Sequence, residues 1–329
     1  MSSRFDELRI FTGNGNPTLA HNICTHLGVR IGDSTVKMFT NENIFVRLNE
    51  SVREKDVFVI QSLSLPLSDR IMELLIMLDA CRRSSAGRVT AVIPYYAYGR
   101  TDKRDQPRVP ITARLIADMI QVAGAQQVIT MDLHAGQIQG FFSIPVDELS
   151  AMSLLVRHFQ ERGFHDAVVV SPDLGFAKRA RNFAESLGVP LAIVEKRRTQ
   201  QFSNTEQLSR VEALSLIGDV KGKRCILVDD EILTGSSMSE AATLLMHEGA
   251  SEVYAAAVHA VLAEEASQRL SQSPIRELVV TDTLPIPIER CWSGLRVLSI
   301  APLLGEVIQR IHSGVSVDSI FRRRNPAMG

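Results

Sequence analysis

Apolar runs without a polar alternate position recur along the whole chain, and they restrict the fold more than any other feature. Val57–Ile60, Ala91–Ile93, Val168–Val170 and Ile226–Val228 are of this kind. A strand without a polar face has no side to turn to water, so both faces must be covered, as in a parallel sheet flanked by helices. Such runs predict strands at Arg9–Thr12, Asp56–Gln61, Val89–Pro94, Gln127–Met131, Ala167–Ser171, Leu191–Glu195, Arg224–Asp229, Glu252–Val258 and Glu277–Thr281. Between them, helical spacing predicts helices over Asn16–Leu27, Ser68–Ser84, Val109–Ala123, Ser150–Glu161, Gly175–Leu187, Ser237–Gly249 and Ala263–Ser271. One more strand and helix are expected from Arg296 onward. Repeated strand–helix–strand order assigns the chain to the α/β class, with mostly parallel sheets.

The 329 residues are long for one domain and comfortable for two. An internal echo supports two halves joined near residue 150. "TAVIPYYAYGR" (90–100) and "LAIVEKRRTQ" (191–200) are both strands entering basic loops. At a similar distance beyond each, "VITMDLHAG" (128–136) and "CILVDDEIL" (225–233) are strands entering carboxylates. A net charge of −1 gives no support for nucleic-acid or anionic-membrane binding. No apolar run approaches the ~18–20 residues that span a bilayer. The first thirty residues contain no apolar signal core, and Cys24, Cys81, Cys225 and Cys291 form no CxxC pair. These features predict a cytoplasmic protein with free thiols.

Five segments carry candidate chemistry. In "ILVDDEILTGSSM" (226–238), a buried strand meets Asp229 and Asp230, then Thr234, Gly235, Ser236 and Ser237 at the start of a helix. Small residues at a helix N-terminus let backbone N–H groups approach a phosphate, and carboxylates accept hydrogen bonds from sugar hydroxyls. A phosphorylated sugar satisfies both halves, whereas a solvated turn before a Ser-capped helix explains the same residues without a ligand. "YAYGRTDKRDQPR" (96–108) combines Arg100, Lys103, Arg104 and Arg108 with Tyr96 and Tyr98, a set suited to a nucleotide polyphosphate or to a charged surface loop. "MDLHAGQIQGFF" (131–142) ends a strand with Asp132 and His134. In "VVVSPDLGFAKRARNFA" (168–184), Asp173 either holds Mg²⁺ or caps the helix that carries Lys178, Arg179 and Arg181. "VEKRRTQ" (194–200) places Lys196 and Arg198 on a loop, where cations neutralise charge on a transferred phosphate.

In this order and spacing the chain resembles the ribose-phosphate diphosphokinase, or phosphoribosyl pyrophosphate synthetase, family. The likeness also includes "RIFTGNGNPTLA" (9–20), "ELLIMLDACRRSSAGRVTAVIPYYAYGR" (73–100), "ITMDLHAGQIQGFFSIPVDEL" (129–149) and "IQRIHSGVSVDSIF" (308–321). The resemblance implies two tandem phosphoribosyltransferase-type domains: 1–149 on the ATP side, 150–300 on the ribose 5-phosphate side. A helix and tail, 301–329, would pack back on the first. It also implies attack of the ribose 5-phosphate C1 hydroxyl on the β-phosphorus of Mg-ATP, with AMP leaving. Lys196, Arg198 and His134 would be catalytic, with His134 and Asp173 on magnesium. Phe39, Asn41, Asn43, Arg100, Thr101, Asp102 and Lys103 would bind ATP. Asp229, Asp230 and Thr234 to Ser237 would bind ribose 5-phosphate, and Ser51 and Arg53 match a regulatory region. Members assemble as dimers built into hexamers, with no nucleic-acid or membrane partner.

The chain departs from the family pattern near both substrates. Leu233 stands where Asp is usual, and Ser236 replaces the second Gly of the phosphate loop. Phe176 replaces the second Gly after Asp173, Thr101 replaces Gln, and Asn41-Glu42-Asn43 replaces Asp-Gly-Glu. These changes support a second reading, a weak or inactive paralogue that partners an active synthetase in a hetero-oligomer. The retained charged residues favour the active enzyme.

Overall fold

The computed structural model describes residues 7–200, 210–263, 265–317 and 320. The chain divides into two units, one of residues 1–151, 282–285 and 299–329, the other of 152–281 and 286–298. The first runs through β1 (Leu8–Thr12), α1 (Pro17–Leu27), a hairpin of β2 (Ser34–Met38) and β3 (Ile44–Leu48), β4 (Asp56–Ile60), α2 (Leu67–Arg83), β5 (Arg88–Ile93), α3 (Thr112–Ala123), β6 (Gln127–Met131) and β7 (Val146–Leu149). The second contains α4 (Met152–Glu161), β8 (Val168–Ser171), α5 (Ala177–Leu187), β9 (Leu191–Gln200), β10 (Arg210–Ile217), β11 (Arg224–Ile232) and α6 (Ser236–His247). It continues with β12 (Glu252–Ala260), α7 (Ala266–Ser271), β13 (Ile275–Thr281) and β14 (Leu295–Leu298), after which α8 (Ala301–His312) belongs to the first unit. Among the described residues no helix is long and apolar enough to cross a membrane.

The first unit's sheet has the order β1-β4-β5-β6-β7 and is parallel throughout. Successive strand residues point to opposite faces. Val57, Val59, Val89, Ala91, Ile93 and Val128 therefore pack with Leu74, Leu78, Ile116 and Ile120 of α2 and α3. The alternate positions Phe58, Ile60, Val92 and Ile129 are equally buried, as are Ile23 of α1 and Leu304 and Val307 of α8. α1 begins where Asn16 Oδ1 accepts the Leu19 N–H at 3.2 Å and Pro17 presets the first turn, and it ends at left-handed Gly28. The α8 end is tied to the sheet by Asp56, which is fully buried and accepts from Arg88 at 2.7 and 2.5 Å, with His312 Nδ1 2.9 Å away.

The second unit's sheet has the order β10-β9-β8-β11-β12-β13-β14, parallel except where β10 turns back on β9. One face is closed by α6 and α7, through Met238, Ala241, Leu245 and Leu270. Phe159 of α4 makes edge contacts with Phe164, just beyond that helix, and with Phe183 of α5. Every strand predicted from an apolar run forms. β2, β3, β7 and β10 are additional: β2 and β7 mix polar with apolar residues, the short run Ile44–Val46 of β3 is half-exposed and gives way to Arg47, and β10 interleaves polar and apolar residues.

A buried polar network joins β1, β4 and α2. Glu73 is 4 % exposed and accepts from Asn14 N at 3.0 Å, Asn14 Nδ2 at 2.7 Å, Gln61 Nε2 at 2.8 Å and Arg70 at 2.7 Å. Gln61 in turn accepts the Gly15 N–H at 2.9 Å, and a side chain on Gly15 would strike the Ser62 carbonyl. Burial pushes the Glu73 pKa up, but the bonds from Asn14 and Gln61 and the charge of Arg70 outweigh it and hold it below its ordinary value. Glu73→Gln is expected to destabilise the first unit by about 2–3 kcal/mol at neutral pH, read by thermal unfolding. A folded pKa below the unfolded one contributes stability above the unfolded value and loses it as pH falls through the folded value. The difference between wild type and variant should therefore shrink only below about pH 4.

Candidate active site

At the carboxyl ends of parallel strands the backbone leaves the covered layers, and that edge carries the polar groups in both units. In the second unit, β11 runs on through Asp229 and Asp230 to Ile232, with Asp229 opposite Ala257 and Glu231 opposite His259 of β12. The apolar run alone predicts the end of this strand at Asp229. The extension arises because β12 continues to Ala260 and offers backbone partners beyond that point. Asp230 is 3 % exposed and Asp229 half-buried, and the Asp230 N–H donates to Asp229 Oδ1 at 2.9 Å. Burial, reinforced by the neighbouring carboxylates of Asp230 and Asp173, pushes the Asp229 pKa well above the carboxylate range.

The turn after β11 is built for close approach. Gly235 has φ 72° and ψ 0° as the cap of α6, and a side chain there would strike Leu270. The Thr234 and Ser236 hydroxyls lie 3.1 Å apart, and Arg269 donates to the Thr234 carbonyl. Ser236 and Ser237 are the first residues of α6, so the first-turn N–H groups and positive dipole end of that helix face the turn. Ser236 is accommodated as a helical residue. Leu233 is 41 % exposed, and its carbonyl accepts the Ala263 N–H at 2.8 Å.

β8 pairs in parallel with β11, which brings the turn after β8 beside these carboxylates. Asp173 is exposed there and accepts the Phe176 N–H at 2.9 Å, while Arg179 in the first turn of α5 lies 3.6 Å from Asp230 Oδ2. Lys196 and Arg198 belong to β9, opposite Leu214 and Glu212 of β10. The strand predicted to stop at Glu195 thus continues to Gln200, because β10 returns alongside as an antiparallel partner. The side chains of residues 196–200 lie outside the described parts of the structure.

In the first unit, His134 follows β6 and Arg100 follows β5, both exposed at the same edge of the sheet. A Cβ on Gly99 would lie 3.2 Å from that of His134, so the two loops touch. Asp132, with φ 39°, accepts Ser150 Oγ and Ala151 N at 2.7 Å each, and Glu148 accepts Leu133 N at 2.9 Å, together holding the His134 loop. Thr101 donates its hydroxyl to Tyr98 O at 2.7 Å, buried Asp102 accepts from Gln137, and Lys103 is exposed. Phe39, Asn41 and Asn43 sit on the β2–β3 hairpin, where Phe39 N donates to Asn43 O at 2.9 Å and Lys37 lies over the Phe39 ring. Ser51 and Arg53 are exposed before β4, at the opposite end of the sheet from His134 and Arg100.

Tyr96 does not supply the stacking face expected of it. It is 5 % exposed, donates to Ala113 O at 2.8 Å and packs against Phe142, and burial pushes its hydroxyl pKa up. Tyr98, 38 % exposed, is the ring left at the surface. Gln137 and Glu148 have no local sequence signal: the pairing of β5 with β6 brings Gln137 to the Asp102 loop, and that of β6 with β7 brings Glu148 to Leu133. Among the described residues no three His, Cys, Asp or Glu side chains converge as a metal cage. Asp173 lies near enough to Asp229 and Asp230 for its charge to raise the Asp229 pKa, but the three carboxylates do not close on a common point.

A family profile described as the N-terminal domain of ribose phosphate pyrophosphokinase matches residues 8–124, and one described as the phosphoribosyl synthetase-associated domain matches residues 206–322. The chain is 50 % identical over 322 residues to a ribose-phosphate pyrophosphokinase of Caldanaerobacter subterraneus subsp. tengcongensis, covering 98 % of this chain and 100 % of that one. It is 50 % identical over 317 residues to one of Clostridium acetobutylicum, covering 96 % and 97 %. The crystal structure of phosphoribosylpyrophosphate synthetase from Mycobacterium smegmatis superposes with a TM-score of 0.88 at 44 % identity, covering 94 % of this chain and 99 % of that one. Identity at this level over the full length of both relatives, on the same α/β architecture, places the chain in the ribose-phosphate pyrophosphokinase family.

Proposed function

We propose that this protein transfers the diphosphoryl group of Mg-ATP to the C1 hydroxyl of ribose 5-phosphate, forming phosphoribosyl pyrophosphate and AMP. The observation that carries this reading is on β11 and α6: a carboxylate pair stands a few residues before a glycine-capped helix N-terminus. That pairing of acceptors and donors suits one molecule bearing both hydroxyls and a phosphate dianion. Asp229 and Asp230 take the ribose hydroxyls, and Thr234, Gly235, Ser236 and Ser237 take the 5-phosphate. Arg100 and Lys103 bind the ATP phosphates, with Thr101 and Asp102 shaping their loop and Phe39, Asn41 and Asn43 on the adenosine side. The C1 oxygen bonds to the β-phosphorus as the bond from that phosphorus to the α,β-bridging oxygen breaks. Lys196 and Arg198 offset the charge on the transferring group, and His134 serves at the reacting phosphates.

Mg²⁺ is assigned to Asp173 in the second unit. A bound cation neutralises polyphosphate charge, and Asp173 fits the role because its carboxylate is exposed beside two others whose repulsion a cation relieves. A homo-oligomer, dimer to hexamer, in the cytoplasm completes the proposal. Nothing in the comparisons favours the inactive-partner reading.

The purified protein, given Mg-ATP, ribose 5-phosphate and inorganic phosphate, should form AMP and phosphoribosyl pyrophosphate, and Lys196→Ala should lose about 100-fold or more. No product above that control would overturn the assignment. Leu233→Asp restores an acceptor at an exposed position, and kcat/KM for ribose 5-phosphate should rise about 10- to 100-fold, equivalent to ~1–3 kcal/mol. Asp229→Asn should weaken ribose 5-phosphate binding yet stabilise the metal-free protein. A carboxyl with a raised folded pKa contributes stability below its unfolded value and loses it as pH rises through the folded value. The melting-temperature advantage of the variant should therefore grow from pH 4 to pH 8, on the order of the linkage expected for one buried carboxyl.

A further inference from the structure

We propose that Arg179, beside the ring of Phe176, is a positioning residue whose ion pair with Asp230 holds that carboxylate in place next to Asp229 for the ribose hydroxyls. This rests on the ribose 5-phosphate reading of β11. The Asp230 side chain is 4 % exposed, and a carboxylate so buried is costly unless a cation accompanies it. Arg179 NH1 lies 3.6 Å away, reaching across from the first turn of α5. Its helix neighbours Lys178 and Arg181 are exposed.

The guanidinium has a second contact. Its central carbon lies 6.0 Å from the centre of the Phe176 ring, which is 7 % exposed. A planar cation held near both an aromatic ring and a carboxylate loses little more freedom when a ligand arrives. The base of this assembly is also fixed, because Phe176 N donates to Asp173 Oδ1 at 2.9 Å. Asp229 is the more exposed member of the pair, and the Asp230 N–H holds one of its oxygens. Phe176, which departs from the small residue expected at that place, thus acquires a role as the buttress of Arg179.

The test uses the full-length protein, with ribose 5-phosphate titrated calorimetrically in the absence of ATP and steady-state kinetics for both substrates. Arg179→Met should raise Kd and KM for ribose 5-phosphate about tenfold or more, with KM for ATP within about twofold, because the Asp230 carboxylate is no longer held in place for the ribose hydroxyls. Arg179→Lys should recover most of the loss, and Phe176→Leu should raise the same constants about two- to fivefold. Wild-type ribose 5-phosphate affinity in Arg179→Met overturns the proposal, as does an equal loss for both substrates that lysine does not rescue. Should Arg179→Met not fold, Arg179→Gln is read by the same criteria. Wild-type protein that neither binds nor turns over ribose 5-phosphate sinks the functional reading itself; turnover with an unaffected variant sinks only this inference.

Discussion

Both units depend on one constraint: a parallel sheet covered by helices leaves polar groups almost nowhere to go except its carboxyl edge. Backbone hydrogen bonds are spent within the ladder, and side chains on both faces are apolar and packed. At that edge the strands release the chain into turns, and two neighbouring strands deliver their first polar residues to the same place. The approach of Asp173 to Asp229 and Asp230 follows from the parallel pairing of β8 and β11. The contact between the His134 and Arg100 loops follows in the same way from β5 and β6.

That arrangement carries an electrostatic cost. Three carboxylates near one another, one of them deeply buried, repel in a poorly screened setting, and the Asp229 pKa rises in response. Under the function proposed above, sugar hydroxyls and a divalent cation bound there would each lower that cost. Two buried carboxylates elsewhere are well supplied with partners. Glu73 is surrounded by donors and Asp56 by Arg88 and His312, and both serve to lock elements together. Carboxylate repulsion thus collects at the carboxyl edge, while Glu73 and Asp56 are held by several donors each.

Much of this was legible in the chain itself. Continuous apolar runs located the parallel strands, since a strand with no polar face has a single kind of environment open to it. "VDDEILTGSS" revealed a carboxylate pair and a phosphate-type turn on one strand end, and the Leu233 substitution was visible beside them. The hairpin β2–β3 and the strands β7 and β10 were not legible, because half-exposed strands mix polar and apolar residues as loops do. Nor was the true end of β11 or β9, since a strand lasts as long as its partner does, and that partner lies elsewhere in sequence.

The sequence by itself determined the class of fold, the family and the chemical types at the two edges, because periodicity and local spacing record which residues must be buried and which turn is possible. The tertiary structure alone decided how those residues are used. It turned Tyr96 inward, bound Asp102 to Gln137, held the His134 loop through Asp132 and Glu148, and set Arg179 between Phe176 and Asp230. Each of these depends on side chains from separate segments meeting in space, and hydrogen-bond geometry and close packing are properties of that meeting.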